Sequence, residues 1–107
     1  MTELSKKECV PCKGGVPPLQ EEEYLPLLTQ LTGWQVEQGH HLVKHYECQN
    51  YIEALELTNK CGAIAEEQGH HPVIELTWGK VKVTIWTHKI DGLTESDFIL
   101  AAKYDKI

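Results

Sequence analysis

Four of the six histidines in this 107-residue chain sit in two copies of one pentapeptide, EQGHH, at Glu37–His41 and Glu67–His71. The other two are His45 and His88. Imidazole titrates nearest neutrality, so two rings held together can present one acid and one base at working pH. Neutral imidazole also binds metals, so the same residues raise the question of zinc. The four cysteines, Cys9, Cys12, Cys48 and Cys61, add a second candidate chemistry. Cys9-x-x-Cys12 has the spacing of half a zinc knuckle, but no second pair follows it. A redox CxxC opens a helix after a strand, and this one lies in Gly- and Pro-rich text. Cys48 and Cys61 are expected to be core thiols.

The elements decide which histidines can meet. Residues 1–18, through CVPCKGGVPP, lack periodicity and read as an irregular arm, laid on the surface of a domain spanning 19–107 or partly mobile. From Leu19, LQEEEYLPLLTQLTG sets Tyr24, Leu27, Leu28 and Leu31 on one helical face, with Gly33 as its expected C-cap. Pro26 removes a backbone donor, which predicts a kink or a late start. Trp34–Glu37 and Leu42–Cys48 read as strands, the second alternating Leu42, Lys44, Tyr46 and Cys48. A long helix follows between an Asn50 N-cap and a Gly69 C-cap, burying Ala54, Leu57, Cys61, Ile64 and Ala65. Pro72 then forbids further helix.

PVIELTWGKVKVTIWTH reads as a hairpin about Trp78-Gly79. Leu76 then faces Val81, Glu75 faces Lys82, Ile74 faces Val83 and Pro72 faces Ile85, so apolar meets apolar and acid meets base. This register carries His70 and His71 to the end of the hairpin that holds Trp86, Thr87 and His88. A last helix opens at Thr94 and Asp97, which have capping-box spacing. The order α-β-β-α-β-β-α predicts an α+β domain with a four-stranded antiparallel sheet and helices packed on one face.

Three readings of the trio His70, His71 and His88 stand on spacing alone: acid–base or substrate-binding residues, metal ligands, or polar loop residues. Strand neighbours point to opposite faces, which disfavours His70 and His71 as ligands of one metal. The first EQGHH reads as a turn in which Gly39 reverses the chain and His40 and His41 are solvated. His45 reads as an exposed strand residue. The sequences flanking the two copies differ, so they are not an internal repeat.

Composition narrows the function further. A net charge of −6 without any Lys/Arg run argues against nucleic acid or an anionic membrane as the main partner. No apolar run approaches the roughly 20 residues of a membrane span, and MTELSKKECV lacks the apolar core of a signal peptide. The expected location is the cytoplasm, where the cysteines stay reduced.

The segment AEEQGHHPVIELTWGKVKVTIWTHKIDGLTESDFILAAKYD resembles the pterin-4a-carbinolamine dehydratases. The shared features are His70-His71-Pro72 after a helix, Thr87-His88, Gly92-Leu93-Thr94, and Asp97 opening the last helix. With Gly33-Trp34 and the central helix, the likeness covers residues 19–107. The arm resembles a leader of some family members that does not carry the activity. The resemblance implies elimination of water from 4a-hydroxytetrahydropterin to give quinonoid dihydropterin, which is reduced and reused by aromatic amino acid hydroxylases. No metal or cofactor is implied. His70 and His88 become the acid–base pair, His71 positions the pterin and Asp97 orients the site. Glu66, Pro72, Trp86 and Thr87 become substrate-binding residues, with Glu66 on the aminopyrimidine edge. Gly69 departs from the Asp or Asn that many members carry before the histidine pair. The resemblance also implies a homodimer or homotetramer. Two further roles known in this family stand beside catalysis, a dimerisation cofactor for a homeodomain transcription factor and a non-catalytic assembly factor.

Overall fold

The computed structural model describes residues 3–10 and 14–107. Cys12 therefore lies outside the described residues, and with it the reading of the CxxC pair. Helices α1 (Glu21–Leu28), α2 (Tyr51–Gln68) and α3 (Glu95–Tyr104) pack with strands β1 (Gln35–Glu37), β2 (His41–Glu47), β3 (Val73–Leu76) and β4 (Lys80–Ile85). The sheet is antiparallel throughout, in the order β1-β2-β4-β3. This is the α+β arrangement that the patterning predicts.

Period-2 alternation builds the sheet's inner face. Leu42 of β2 and Val81, Val83 and Ile85 of β4 are fully buried in one core with Ala54 and Cys61 of α2 and Phe98, Leu100 and Tyr104 of α3. Tyr24 stacks on Phe98 from α1. The β3–β4 register pairs Leu76 with Val81, Glu75 with Lys82 and Ile74 with Val83, as the hairpin pattern predicts. The strand begins at Val73, so Pro72 opposite Ile85 falls just before it. Asn50 caps α2 through its side chain, and Gly69 closes it in the left-handed conformation, φ 64°.

Three expectations need correction. Gly33 does not cap α1, which ends at Leu28; Leu31 is outside it, because Gln30 N–H and Leu31 N–H turn back to the carbonyls of Leu27 and Leu28 in tighter bonds. Pro26 neither delays nor ends the helix. It sits in the last turn of a helix that starts on time at a Gln20–Glu23 capping box, where it forfeits one bond only. The arm is more than a surface strap. Leu4–Lys6 form a 3-10 turn against α3, and Leu4, 3% exposed, joins the central core.

Candidate active site

The second EQGHH copy ends α2. Gly69 reverses the chain, the N–H of His70 closes on Ala65 O at 3.2 Å, and Pro72 holds the backbone extended into β3. The adjacent rings then diverge, although both residues lie before β3 begins at Val73. His70 turns inward, its side chain 16% exposed, and its Nε2 meets Asp97 Oδ1 at 2.5 Å. His71 turns outward, 58% exposed, and its Nε2 meets Glu66 Oε1 at 2.8 Å, one turn back along α2.

Asp97 is completely buried, and its carboxylate serves three elements at once. Oδ1 takes the ring N–H of His70. Oδ2 accepts the Thr94 backbone N–H at 2.8 Å, which caps α3, and the Thr87 hydroxyl at 2.9 Å, which ties in the end of β4. With its proton committed to Asp97, the Thr87 hydroxyl accepts from Thr94 Oγ1 at 2.9 Å. A buried carboxylate needs such donors, and here each of them holds a piece of the site. Because Nε2–H of His70 points at Asp97, the neutral ring leaves Nδ1 as its acceptor.

Beyond β4 the chain folds into a tight loop closed by reciprocal contacts of Thr87 and Gly92, with Thr87 N–H bonding Gly92 O at 2.9 Å. Trp86 and His88 flank Thr87, and their rings stack in parallel, 4.3 Å apart and inclined by 5°. Gly69, His70, His71, Trp86, Thr87, His88 and Lys89 line a cleft of about 340 Å³, within the size range of small-molecule sites. The fold thus gathers every residue singled out at the hairpin end. Asp97 lies behind the cleft wall rather than in it. Glu66 and Pro72 stand with His71 on an adjoining groove between α2 and β3.

The first EQGHH copy contradicts its solvated reading. His40 and His41 are half-buried, and their rings lie 5.6 and 6.2 Å from that of Trp86. The reason is register: Leu42 pairs with Ile85, so the turn before β2 arrives beside the residues just after β4. His40 Nε2 bonds Asp91 Oδ1 at 2.7 Å, and the Nδ1 atoms of His40 and His41 meet at 3.0 Å. The first contact puts a proton on Nε2 of His40, and the second needs one further proton shared between the two Nδ1 atoms, with Nε2 of His41 lying 3.4 Å from Glu37 Oε1. The signal for this grouping is the pairing of β2 with β4, which the hairpin pattern leaves unspecified. His45, in contrast, is exposed as expected.

The arm also reaches the site's supports. Cys9 N–H bonds Gln68 Oε1 at 2.8 Å in the last turn of α2, and Val10 N–H bonds Ser96 Oγ at 3.0 Å in the first turn of α3. Gln68 and Ser96 are neighbours in sequence of Gly69-His70 and of Asp97, and no periodicity in the arm announces this link. Cys61 is fully buried and Cys48 half-buried. Burial pushes the thiols of Cys9 and Cys61 up to about 11. Among the described residues, no three His, Cys, Asp or Glu side chains gather so that they could hold a metal ion.

The chain has known relatives in both sequence and fold. A protein of Rubrobacter xylanophilus named "Putative pterin-4-alpha-carbinolamine dehydratase" is 56% identical over 107 residues, covering 100% of both chains. One of the same name from Rickettsia canadensis is 54% identical over 98% of this chain and 97% of its own. The crystal structure of a Brucella melitensis protein described as a transcriptional coactivator/pterin dehydratase superposes with a TM-score of 0.77 at 29% identity, covering 83% of this chain and 96% of that one. A pterin dehydratase-like RuBisCO assembly factor of the alpha-carboxysome, 22% identical, shares the fold with a TM-score of 0.59 over 70% of this chain and 88% of its own. The family described as Pterin 4 alpha carbinolamine dehydratase matches residues 17–107, and the chain belongs to that family of hydro-lyases.

Proposed function

We propose that this protein dehydrates 4a-hydroxytetrahydropterin to quinonoid dihydropterin with His70 and His88 as its acid–base pair. The observation that carries this reading is the His70–Asp97 contact beside a cleft that His88 also lines. Elimination breaks the C4a–O bond and removes the N5 proton, leaving a C4a=N5 double bond and water. A hydroxyl leaves far more readily when it is protonated as it departs. With Nε2–H given to Asp97, His70 offers Nδ1 to take the N5 proton, and the buried carboxylate stabilises the imidazolium so formed. His88, braced against Trp86, delivers the proton to the hydroxyl.

The other residues bind. Glu66 and His71 form a polar pair suited to the aminopyrimidine edge, with Pro72, Trp86 and Thr87 shaping the rest of the pterin site. No metal or cofactor enters the chemistry. The product is reduced and returned to aromatic amino acid hydroxylases, and the protein works in the cytoplasm as a homodimer or homotetramer. Exposed Tyr51, Ile52 and Leu55 on α2 support self-association. The test is a dehydratase assay on purified protein with freshly generated 4a-hydroxytetrahydropterin, comparing the rate with the uncatalysed background. A rate no faster than background would overturn the proposal.

A further inference from the structure

We infer that His40, from the first EQGHH copy, is a positioning residue that fixes His88 for catalysis through Asp91 and Trp86. The inference rests on the acid–base role given to His88 above. The loop from Thr87 to Gly92 carries His88 on its outer side. Within it Asp91 N–H bonds Thr87 O at 2.9 Å and also approaches His88 O at 3.2 Å. Asp91 adopts φ 55°, a left-handed conformation that costs any residue with a Cβ some energy. Its carboxylate is otherwise well exposed, yet Oδ1 is held at 2.7 Å by the half-buried His40. The same His40 ring lies 5.6 Å from Trp86, the ring on which His88 stacks.

His40 therefore bears on His88 from two sides, through Asp91 within the loop and through the Trp86 ring just before it. It is itself delivered by a defined turn. Gln38 and Gly39 are both left-handed, with φ 56° and 63°, and His40 N–H bonds Glu37 O at 3.0 Å. The reversal is made by Gln38 and Gly39, and the backbone bond from His40 N–H to Glu37 O needs no imidazole. What the histidine adds is a reach across to Asp91 and an imidazole face beside the indole.

Five variants, with kcat and KM measured separately, test this. His40→Ala and Asp91→Gly should each lower kcat about tenfold, as loss of orientation does, with KM within about twofold. Asp91→Gly accepts the left-handed backbone without strain but also loosens the loop, so its loss is read against Asp91→Asn, which keeps a side chain of the same shape. Asp91→Asn retains an acceptor for His40 and should restore most of kcat. Added to His88→Ala, His40→Ala should lower kcat little further, because residues acting through one another are not additive. If His88→Ala loses kcat while His40→Ala and Asp91→Gly do not, the positioning role is wrong and the acid–base pair stands. Multiplicative losses in the double variant would sink it likewise. Wild-type kcat in His88→Ala would instead remove the acid–base assignment and this inference with it.

Discussion

His70 and Asp97 are 27 residues apart in sequence, and a 2.5 Å contact between Nε2 and Oδ1 joins them across the gap between α2 and α3. The aspartate at that point is both the N3 residue of a helix cap and the partner of a histidine in the cleft. Asp97→Ala should therefore fail twice. Lost capping and stranded donors should cost about 2–4 kcal/mol of stability. Asp97→Asn keeps one carbonyl oxygen but turns an N–H₂ group toward donors, so its kcat should fall even where the fold survives. Thermal melts beside steady-state rates would separate the two losses; wild-type kcat in Asp97→Asn would dismiss the orienting role.

General acid or base catalysis by one placed group contributes typically 10²–10⁴-fold. His70→Ala and His88→Ala should each lower kcat by about that factor, with the double variant keeping far more activity than the product of the two losses allows. His71→Ala should act mainly on KM, as suits a group binding ground and transition states alike. Steady-state kinetics on the folded variants decide this; a His71→Ala enzyme that loses kcat with unchanged KM would exchange the roles.

Gly92 has no room for a side chain. A Cβ there would lie 2.5 Å from Pro18 Cβ, and Gly92 O accepts the Thr87 N–H that closes the His88 loop. Gly92→Ala should cost about 1–3 kcal/mol as overpacking does, and should lower kcat because relief comes by moving that loop. Pairing it with Pro18→Gly should recover part of the stability, read as a rise in melting temperature. An unchanged melting temperature in Gly92→Ala would contradict the close approach.

The buried thiols give alkaline pH a direction. Burial raises Cys61 and Cys9 from 9.0 to about 11, and it raises Tyr104 and Tyr46 as well. Below pH 9 folded and unfolded chains both carry the thiol protons, and the stabilisation is complete. As pH climbs from 9 through 11 the unfolded chain ionises first, so stability falls. The melting temperature should drop over that window, less steeply in Cys61→Ala. A slope identical in the variant would remove Cys61 from the explanation.

Activity should survive exhaustive chelation, since the proposed chemistry needs only imidazoles and carboxylates. Loss to chelator with recovery on adding zinc would refute the metal-free route.

Local signals in the sequence carry much of this architecture. Asn50, Gly69 and Pro72 bracket α2 by their conformational demands, and the Glu75–Lys82 pair with its apolar neighbours sets the β3–β4 register. That register is enough to bring His70, His71, Trp86, Thr87 and His88 together. Non-local pairing is harder to see. Nothing within β2 states that it lies against β4, so His40 and His41 read as turn residues until Leu42 is known to face Ile85. Gly33 illustrates the reverse error, a glycine with φ 78° that serves close packing against Lys44 rather than the end of a helix.

The arm meets α3 from the far end of the chain: Lys103 Nζ bonds Ser5 O, and Ser96 Oγ holds Val10. Chains are synthesised N-terminus first, at about 5–20 residues per second. On the ribosome, then, residues 3–10 wait without their partner while the sheet and α2 are made. Leu4 has no core to enter until Phe98 and Leu100 arrive, and His70 has no carboxylate until Asp97 does. Arm, core and the carboxylate behind the cleft thus come together only once α3 has been made.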